Sequence, residues 1–243
     1  MVKNMNYGLQ LYSIRDITPK DFEGALKKVS EIGYKMVEPA GFFGHDAKDV
    51  AAWLTKYGLT VCGTHTGWQA IESDFDATIA YHKAIGAKRI IVPGADTSTK
   101  KSLDEFIDFV NKYQPLVTKE GLELLYHNHS REFLPNNDGI VAHEELEKRT
   151  EILFEIDTYW AFVAKADPIA LLDRLGKRVP VIHLKDGLAD GTGKYLGQGE
   201  APVAAVRKKA IELGCDIVVE SEGLLPNGIE EVTQCFNYLK TLD

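Results

Sequence analysis

Short apolar runs alternate with longer amphipathic stretches from one end of the chain to the other. The runs are Tyr7–Tyr12, Lys35–Glu38, Leu59–His65, Arg89–Val92, Leu122–His127, Ile152–Asp157, Val179–Lys185 and Asp216–Glu220. Each is too short for a core helix and rich in Val, Ile and Leu, as buried parallel strands are. Between them apolar residues recur at helical spacing, as in Phe22, Ala25, Leu26, Val29 and Ile32. Asp21 stands where a helix start needs a side-chain cap. Gly33, Gly58, Gly86, Gly121 and Gly214 each follow a predicted helix end, where a left-handed residue closes the last turn. The runs succeed one another at a mean interval of about 30 residues, the length of one βαβ crossover. Eight such runs, seven steps from first to last with no low-complexity linker, predict an α/β fold, a closed (β/α)8 TIM barrel forming one domain over residues 1–243. A doubly wound sheet would place a glycine-rich phosphate turn after an early strand. The first run ends instead in Gln-Leu-Tyr-Ser-Ile-Arg.

In such a barrel the chemistry gathers at the carboxyl ends of the strands, and strand side chains alternate between two faces. Met36 and Glu38 share a face, as do Val61, Gly63 and His65. Later runs put Leu125 with His127, Glu155 with Asp157, His183 with Lys185, and Val218 with Glu220 and Glu222. The opposite faces of these later runs are almost wholly apolar, which suits packing on helices. His127, Asp157, His183 and Glu220 therefore converge at matching heights on the barrel axis. Two imidazoles and two carboxylates suit one divalent transition metal, such as Mn²⁺, Zn²⁺, Co²⁺ or Fe²⁺.

Composition narrows the class further. Of 243 residues 44% are hydrophobic, ample for a core, and 28 basic residues face 36 acidic ones for a net charge of −8. A pI near 5.4 with no long Lys/Arg run argues against nucleic acid or an acidic membrane as partner. No stretch reaches the ~18 apolar residues of a membrane span. The start, Met-Val-Lys-Asn-Met-Asn-Tyr, has no apolar leader. Three widely separated cysteines, Cys62, Cys215 and Cys235, make neither a disulfide framework nor a zinc knuckle. The expectation is a cytoplasmic protein with reduced thiols and a small-molecule partner, a homodimer being compatible with it.

Several motifs resemble the xylose-isomerase-like TIM barrels, which include sugar-phosphate isomerases and epimerases and the endonuclease IV branch. They are Gly-Leu-Gln-Leu-Tyr-Ser (8–13), Val-Glu-Pro-Ala-Gly-Phe-Phe-Gly (37–44), Tyr-His-Asn-His-Ser-Arg-Glu-Phe (126–133) and Glu-Ile-Asp-Thr-Tyr-Trp (155–160). His-Leu-Lys-Asp (183–186), Leu-Gly-Gln-Gly-Glu (196–200) and Val-Val-Glu (218–220) continue the likeness. The resemblance implies one divalent metal held by Asp157, His183 and Glu220, with a Glu from the fifth strand as fourth ligand. Here His127 stands in that fourth position. In epimerases of this kind that Glu pairs with the strand-eight Glu as acid and base, so only Glu220 of the pair is present. The endonuclease branch needs more metal ligands, and an acidic protein is poorly suited to DNA.

The resemblance implies a keto- or aldo-sugar, or its phosphate, as carbohydrate substrate, isomerised or epimerised through an enediolate. The first alternative is a metal-dependent lyase, an inosose-type dehydratase or a 3-keto-glycoside eliminase; the second is a sugar-binding barrel without turnover. Glu220 is the expected base, with His65 and Lys185 as further catalytic groups and Glu38 and His129 as substrate contacts. Trp160, Trp68 and Phe43 offer aromatic faces to a sugar ring. Glu155 is expected beneath Asp157, orienting a ligand or pairing with Lys185. The glycine-rich stretch 186–200 reads as a lid, a turn or a backbone anion cradle. The pairs Arg15–Asp16 and Lys100–Lys101 read as solvated charges.

Overall fold

The computed structural model describes residues 6–242, so most of the amino-terminal stretch examined for a leader lies outside the described residues. Strands β1 (Tyr7–Gln10), β2 (Met36–Glu38), β3 (Thr60–Val61), β4 (Thr64–His65), β5 (Arg89–Val92), β6 (Glu123–His127), β7 (Leu153–Asp157) and β8 (Val181–Leu184) follow the predicted runs. A small antiparallel pair, β9 (Asp186–Gly187) and β10 (Gly193–Lys194), precedes β11 (Asp216–Val219). Helices α1 (Phe22–Ile32), α2 (Ala47–Tyr57), α3 (Trp68–Ser73), α4 (Phe75–Ala84) and α5 (Lys100–Lys119) fill the first half. The second half carries α6 (Ala142–Arg149), α7 (Thr158–Val163), α8 (Pro168–Leu175), α9 (Val203–Leu213) and α10 (Gly228–Lys240). The Asp21 carboxylate accepts the Gly24 N–H at 2.9 Å, and the five glycines after helix ends all have positive φ.

Nine parallel strands form one sheet in the order β3, β2, β1, β11, β8, β7, β6, β5, β4 among the described residues. Its two end strands are halves of the single run predicted as the third strand. β3 pairs with β2 and β4 with β5, so one chain segment closes the barrel from both sides. Hydrogen bonds carry the closure across the break: Cys62 N–H to Val37 O at 3.1 Å and His65 N–H to Pro39 O at 2.9 Å. Gly63 lies in the break, and a Cβ there would stand 2.4 Å from Ile91 Cδ1, which accounts for glycine at this position. Eight positions around the barrel thus result from nine strands.

Two layers of core follow from strand alternation. The outer one packs strands on helices through side chains such as Leu9, Ile90, Phe154 and Ile182. Inside the barrel Cys62, Ile91, Leu125, Val181 and Val218 form an apolar plug at the amino-terminal end, with Met36 and Leu153 against it. All three cysteines are buried free thiols. Above the plug the interior turns polar: Gln10, Glu38, His127, Glu155 and His183 are at most 2% exposed.

The glycine-rich stretch after β8 is neither an open cradle nor a loose lid. Buried Asp186 accepts the N–H groups of Gly187 (2.8 Å), Gly197 (2.8 Å), Gly199 (3.0 Å) and Ala201 (3.2 Å). The chain's own carboxylate takes the backbone donors that an external anion would use. A Cβ on Gly199 would lie 2.1 Å from Asp186 Oδ1, which explains glycine at that turn. Asp186→Ala leaves these donors unpaired and is expected to cost at least about 3 kcal/mol, read as a lower urea midpoint with a retained far-UV spectrum.

Candidate active site

Two carboxylates, Glu38 on β2 and Glu155 on β7, lie fully buried just above the plug. Glu38 Oε1 accepts from Gln10 Nε2 at 2.6 Å and faces Nε2 of His183 (2.8 Å) and His65 (3.1 Å). Glu155 Oε2 faces His65 Nε2 at 2.9 Å, His127 Nδ1 at 3.1 Å and His183 Nε2 at 3.2 Å. Carboxylate oxygens only accept, so His127 carries its proton on Nδ1 and His183 on Nε2. The second nitrogen of each ring is left for the space above.

Burial alone would raise Glu38 and Glu155, yet the imidazoles around them bring both below the ordinary carboxylate range. Burial would likewise lower His65, but Glu38 and Glu155 raise it to about 9. His183 is held well above its usual value against burial by Glu155, Glu38 and Glu220. Burial depresses His127 to about 3, helped by the His183 and His65 cations, and so keeps its ring neutral.

Just past the strand ends stands a second polar tier. Asp157 Oδ1 caps α7 by accepting the Trp160 N–H at 2.9 Å, while its buried Oδ2 has no hydrogen-bond partner. Glu220 Oε2 lies 3.4 Å from His183 Nδ1 and 3.2 Å from Lys185 Nζ. Lys185, only 2% exposed, also meets Glu222 at 2.6 Å and approaches Asp157 at 4.0 Å. Burial pushes the Asp157 carboxyl up to about 7, with Glu220 adding to the effect against Lys185 and His183.

Those features fit a divalent cation. Ligand atoms of His127, Asp157, His183 and Glu220 all lie within 4.8 Å of one another, and Asp157 Oδ2 and His183 Nδ1 are unsatisfied buried atoms. Both histidines direct their other nitrogen at a carboxylate, the arrangement that fixes metal-binding imidazoles. A second cluster, His65, His127, Glu155 and His183, is equally compact. There His65, His127 and His183 each already turn one ring nitrogen to Glu155 Oε2, so those nitrogens are committed to the carboxylate.

Above the ligands lies a cavity of about 510 Å³, lined by Tyr12, His65, His127, His129, Glu220 and Glu222 among others. The structure brings together the four expected ligands and sets His65, His129 and Lys185 beside them. Other expectations need correction. Glu38 cannot contact substrate: it is sealed beneath His65 and His183. Glu155 does not pair with Lys185, which sits a tier higher among Glu220 and Glu222. Trp160 packs its ring against Lys185 (4.8 Å) and His129 (6.0 Å) and does not line the cavity. Trp68 lines a different cavity, tilted against Phe109 at 5.2 Å, and Phe43 packs on Phe22 at 6.0 Å. Arg15 is not a solvated partner of Asp16: its guanidinium donates to Glu222 O at 2.8 Å and lies over the Tyr12 ring. Lys100 is itself exposed and pairs with the half-buried Asp104. Tyr12 and Glu222 were missed as site residues, although Glu222 follows the period-two face of Val218 and Glu220.

Fold and site together define an α/β barrel with a polar, metal-competent mouth. Residues 26–238 match the family described as Xylose isomerase-like TIM barrel, and the chain belongs to that family. Among curated relatives it is 26% identical over 192 residues to an inosose dehydratase of Mesomycoplasma hyopneumoniae strain 7448, covering 68% of this chain. The match spans 62% of that relative's length. A sugar phosphate isomerase/epimerase structure from Parabacteroides distasonis superposes with a TM-score of 0.83 at 25% identity, over 97% of both chains. The IOLI protein, solved with a bound zinc atom, matches with a TM-score of 0.76 at 14% identity over 98% of both chains. No helix among the described residues is long and apolar enough to cross a membrane.

Two predictions follow from this geometry. Asp157→Ala is expected to abolish uptake of a stoichiometric divalent ion, read by elemental analysis after loading with Mn²⁺ or Zn²⁺, while the far-UV spectrum stays that of a barrel. In the metal-free protein, His65 keeps its proton to about pH 9, whereas an unfolded histidine loses it near 6.5. His183 shifts the same way. The folded state then holds the extra proton between those values, so stability falls as pH rises, by about 1.4 kcal/mol per pH unit per group. Urea titrations at pH 7 to 9 check this, and His65→Gln is expected to make the slope shallower.

Proposed function

We propose that this chain is a divalent-metal-dependent lyase of the dehydratase type, acting on a keto-polyol or keto-sugar. The observation that carries the reading is one-sidedness. The carboxylates on the cavity wall, Glu220 and Glu222, both follow β11 and are both tied to Lys185. Across the mouth stand the imidazoles of His65 on β4 and His127 on β6. Epimerisation by two facing carboxylates has no second carboxylate there. Elimination needs a base on one side and an acid on the other, and the two walls supply one each. The inosose dehydratase relative supports the same choice. The isomerase expectation therefore gives way to the lyase alternative.

His127, Asp157, His183 and Glu220 would hold the ion. Mn²⁺ and Zn²⁺ both suit this nitrogen and oxygen set, and when bound such an ion polarises the substrate carbonyl and acidifies the adjacent C–H. Glu220 takes that proton. Lys185, 3.2 Å away, keeps the carboxylate ionised and oriented. On the opposite wall His65 is gripped through Nε2 by Glu38 and Glu155, which leaves Nδ1 to donate a proton to the departing β-hydroxyl. His129, whose backbone N–H is fixed by Glu132 at 2.9 Å, and Tyr12 border the same space and contact the remaining hydroxyls. The products are water and an unsaturated ketone or its tautomer.

The decisive test incubates Mn²⁺-loaded protein with 2-keto-myo-inositol and other keto-polyols in D₂O, followed by NMR and mass spectrometry. Loss of one water is the expected outcome; deuterium uptake into an intact carbon skeleton without loss of water would make the protein an isomerase or epimerase. Glu220→Gln with metal still bound is expected to lower turnover by ~10²-fold or more while substrate affinity stays within about tenfold. His127→Glu places a second carboxylate on the far wall, and the ratio of solvent proton exchange to dehydration is expected to rise.

A further inference from the structure

Pro93 lines both the catalytic cavity and a second, larger cavity of about 750 Å³ for which the proposed reaction has no use. We propose that this second cavity is the subsite for an uncharged second ring on the substrate, which makes the substrate class a keto-sugar linked to a further sugar or cyclitol ring. The proposal rests on the keto-sugar reading above and extends it.

The lining has the chemistry of a sugar subsite. Trp68, Pro93 and Leu134 supply an apolar side, against which the C–H face of a ring packs. Gln69, Ser98 and Asn137 supply neutral donors and acceptors for hydroxyls. The indole is held in place by Phe106 (6.2 Å) and Phe109 (5.2 Å), so it is a fixed surface. Charge does not favour an anion. Arg131 stands here with the Asp96 carboxylate, and its Nε already binds Glu132 at 3.0 Å. A phosphate subsite would gather several unopposed donors.

The cavity is also built in advance. Its two walls, the loops after β5 and β6, are cross-linked at four points: Asn136 Nδ2 to Thr97 O (3.0 Å), Asn137 N–H to Ser98 O (3.0 Å), Lys100 N–H to Asp138 Oδ2 (2.6 Å) and Arg131 Nη2 to Ala95 O (3.4 Å). Underneath, the Tyr126 hydroxyl donates to Glu132 at 2.9 Å and accepts the Ala95 N–H at 3.3 Å. The other Glu132 oxygen receives the His129 N–H of the catalytic cavity. One buried carboxylate therefore sets the position of groups in both cavities. A wall fixed before binding spends little ordering entropy on its ligand.

The test is calorimetric titration of the Mn²⁺-loaded protein, with glucose and 2-keto-myo-inositol as one-ring probes and cellobiose, maltose and trehalose as two-ring probes. At least one two-ring probe is expected to bind about tenfold or more tighter than glucose, the scale of one well-placed ring. Asn137→Trp and, from the other wall, Ser98→Trp fill the subsite without touching the catalytic groups. Both are expected to remove that advantage and leave the one-ring affinities within about twofold. The proposal is overturned if no two-ring probe outdoes glucose, or if the advantage survives in both filled variants. A two-ring advantage without dehydration of any keto-polyol would leave the subsite standing and remove the lyase reading. Dehydration without the advantage would do the reverse.

Discussion

Closing a barrel around Glu38 and Glu155 is the constraint on which the site depends. Each carboxylate taken from water costs several kcal/mol unless donors replace the lost hydration. Gln10, His65, His127 and His183 supply those donors, and both acids stay ionised although burial opposes it. The consequence is directional. Each imidazole commits one nitrogen downward, which determines which nitrogen remains for the mouth. The aim of the free ring nitrogens at the top of the barrel is thus a by-product of satisfying charge at its middle, above the apolar plug.

The same device recurs in the loops. Asp186 gathers backbone N–H groups from the turn after β10, and Glu132 fixes His129 and Arg131 beyond β6. Buried Glu231 on α10 accepts the Ser221 hydroxyl and the N–H groups of Gly223 (3.0 Å) and Leu225 (2.7 Å). That clasp holds the segment carrying Glu222. A buried carboxylate that accepts several donors at once has its oxygens satisfied and ties several points of its loop together. The loops that carry the chemistry are therefore set before any ligand arrives, and part of the net charge of −8 is structural and internal.

Within one family fold, small changes at strand ends redirect the reaction, because the barrel supplies position and the mouth supplies the groups. His127 bears on this in the proposed reading. An imidazole there offers a ligand atom without bringing a negative charge or a carboxylate base to that wall. Burial and the neighbouring cations hold it neutral, the form that can offer a lone pair.

The alternation of apolar and polar residues by itself determined the eight-position barrel, the glycine helix ends and the convergence of His127, Asp157, His183 and Glu220. All of these rest on local periodicity, in which the spacing of residues along a strand dictates the face they occupy. Height and company were decided only by the tertiary structure. Glu38 faces the barrel interior as the expected ligands do, yet it is sealed under His65 and His183. The glycine turn looked ready for an anion, and folding brought Asp186 into it. Trp68 looked like a partner for the catalytic sugar, but its helix turns it into the neighbouring cavity. Sequence spacing cannot carry such outcomes, because they depend on which loops cross and on how buried charges find partners in three dimensions.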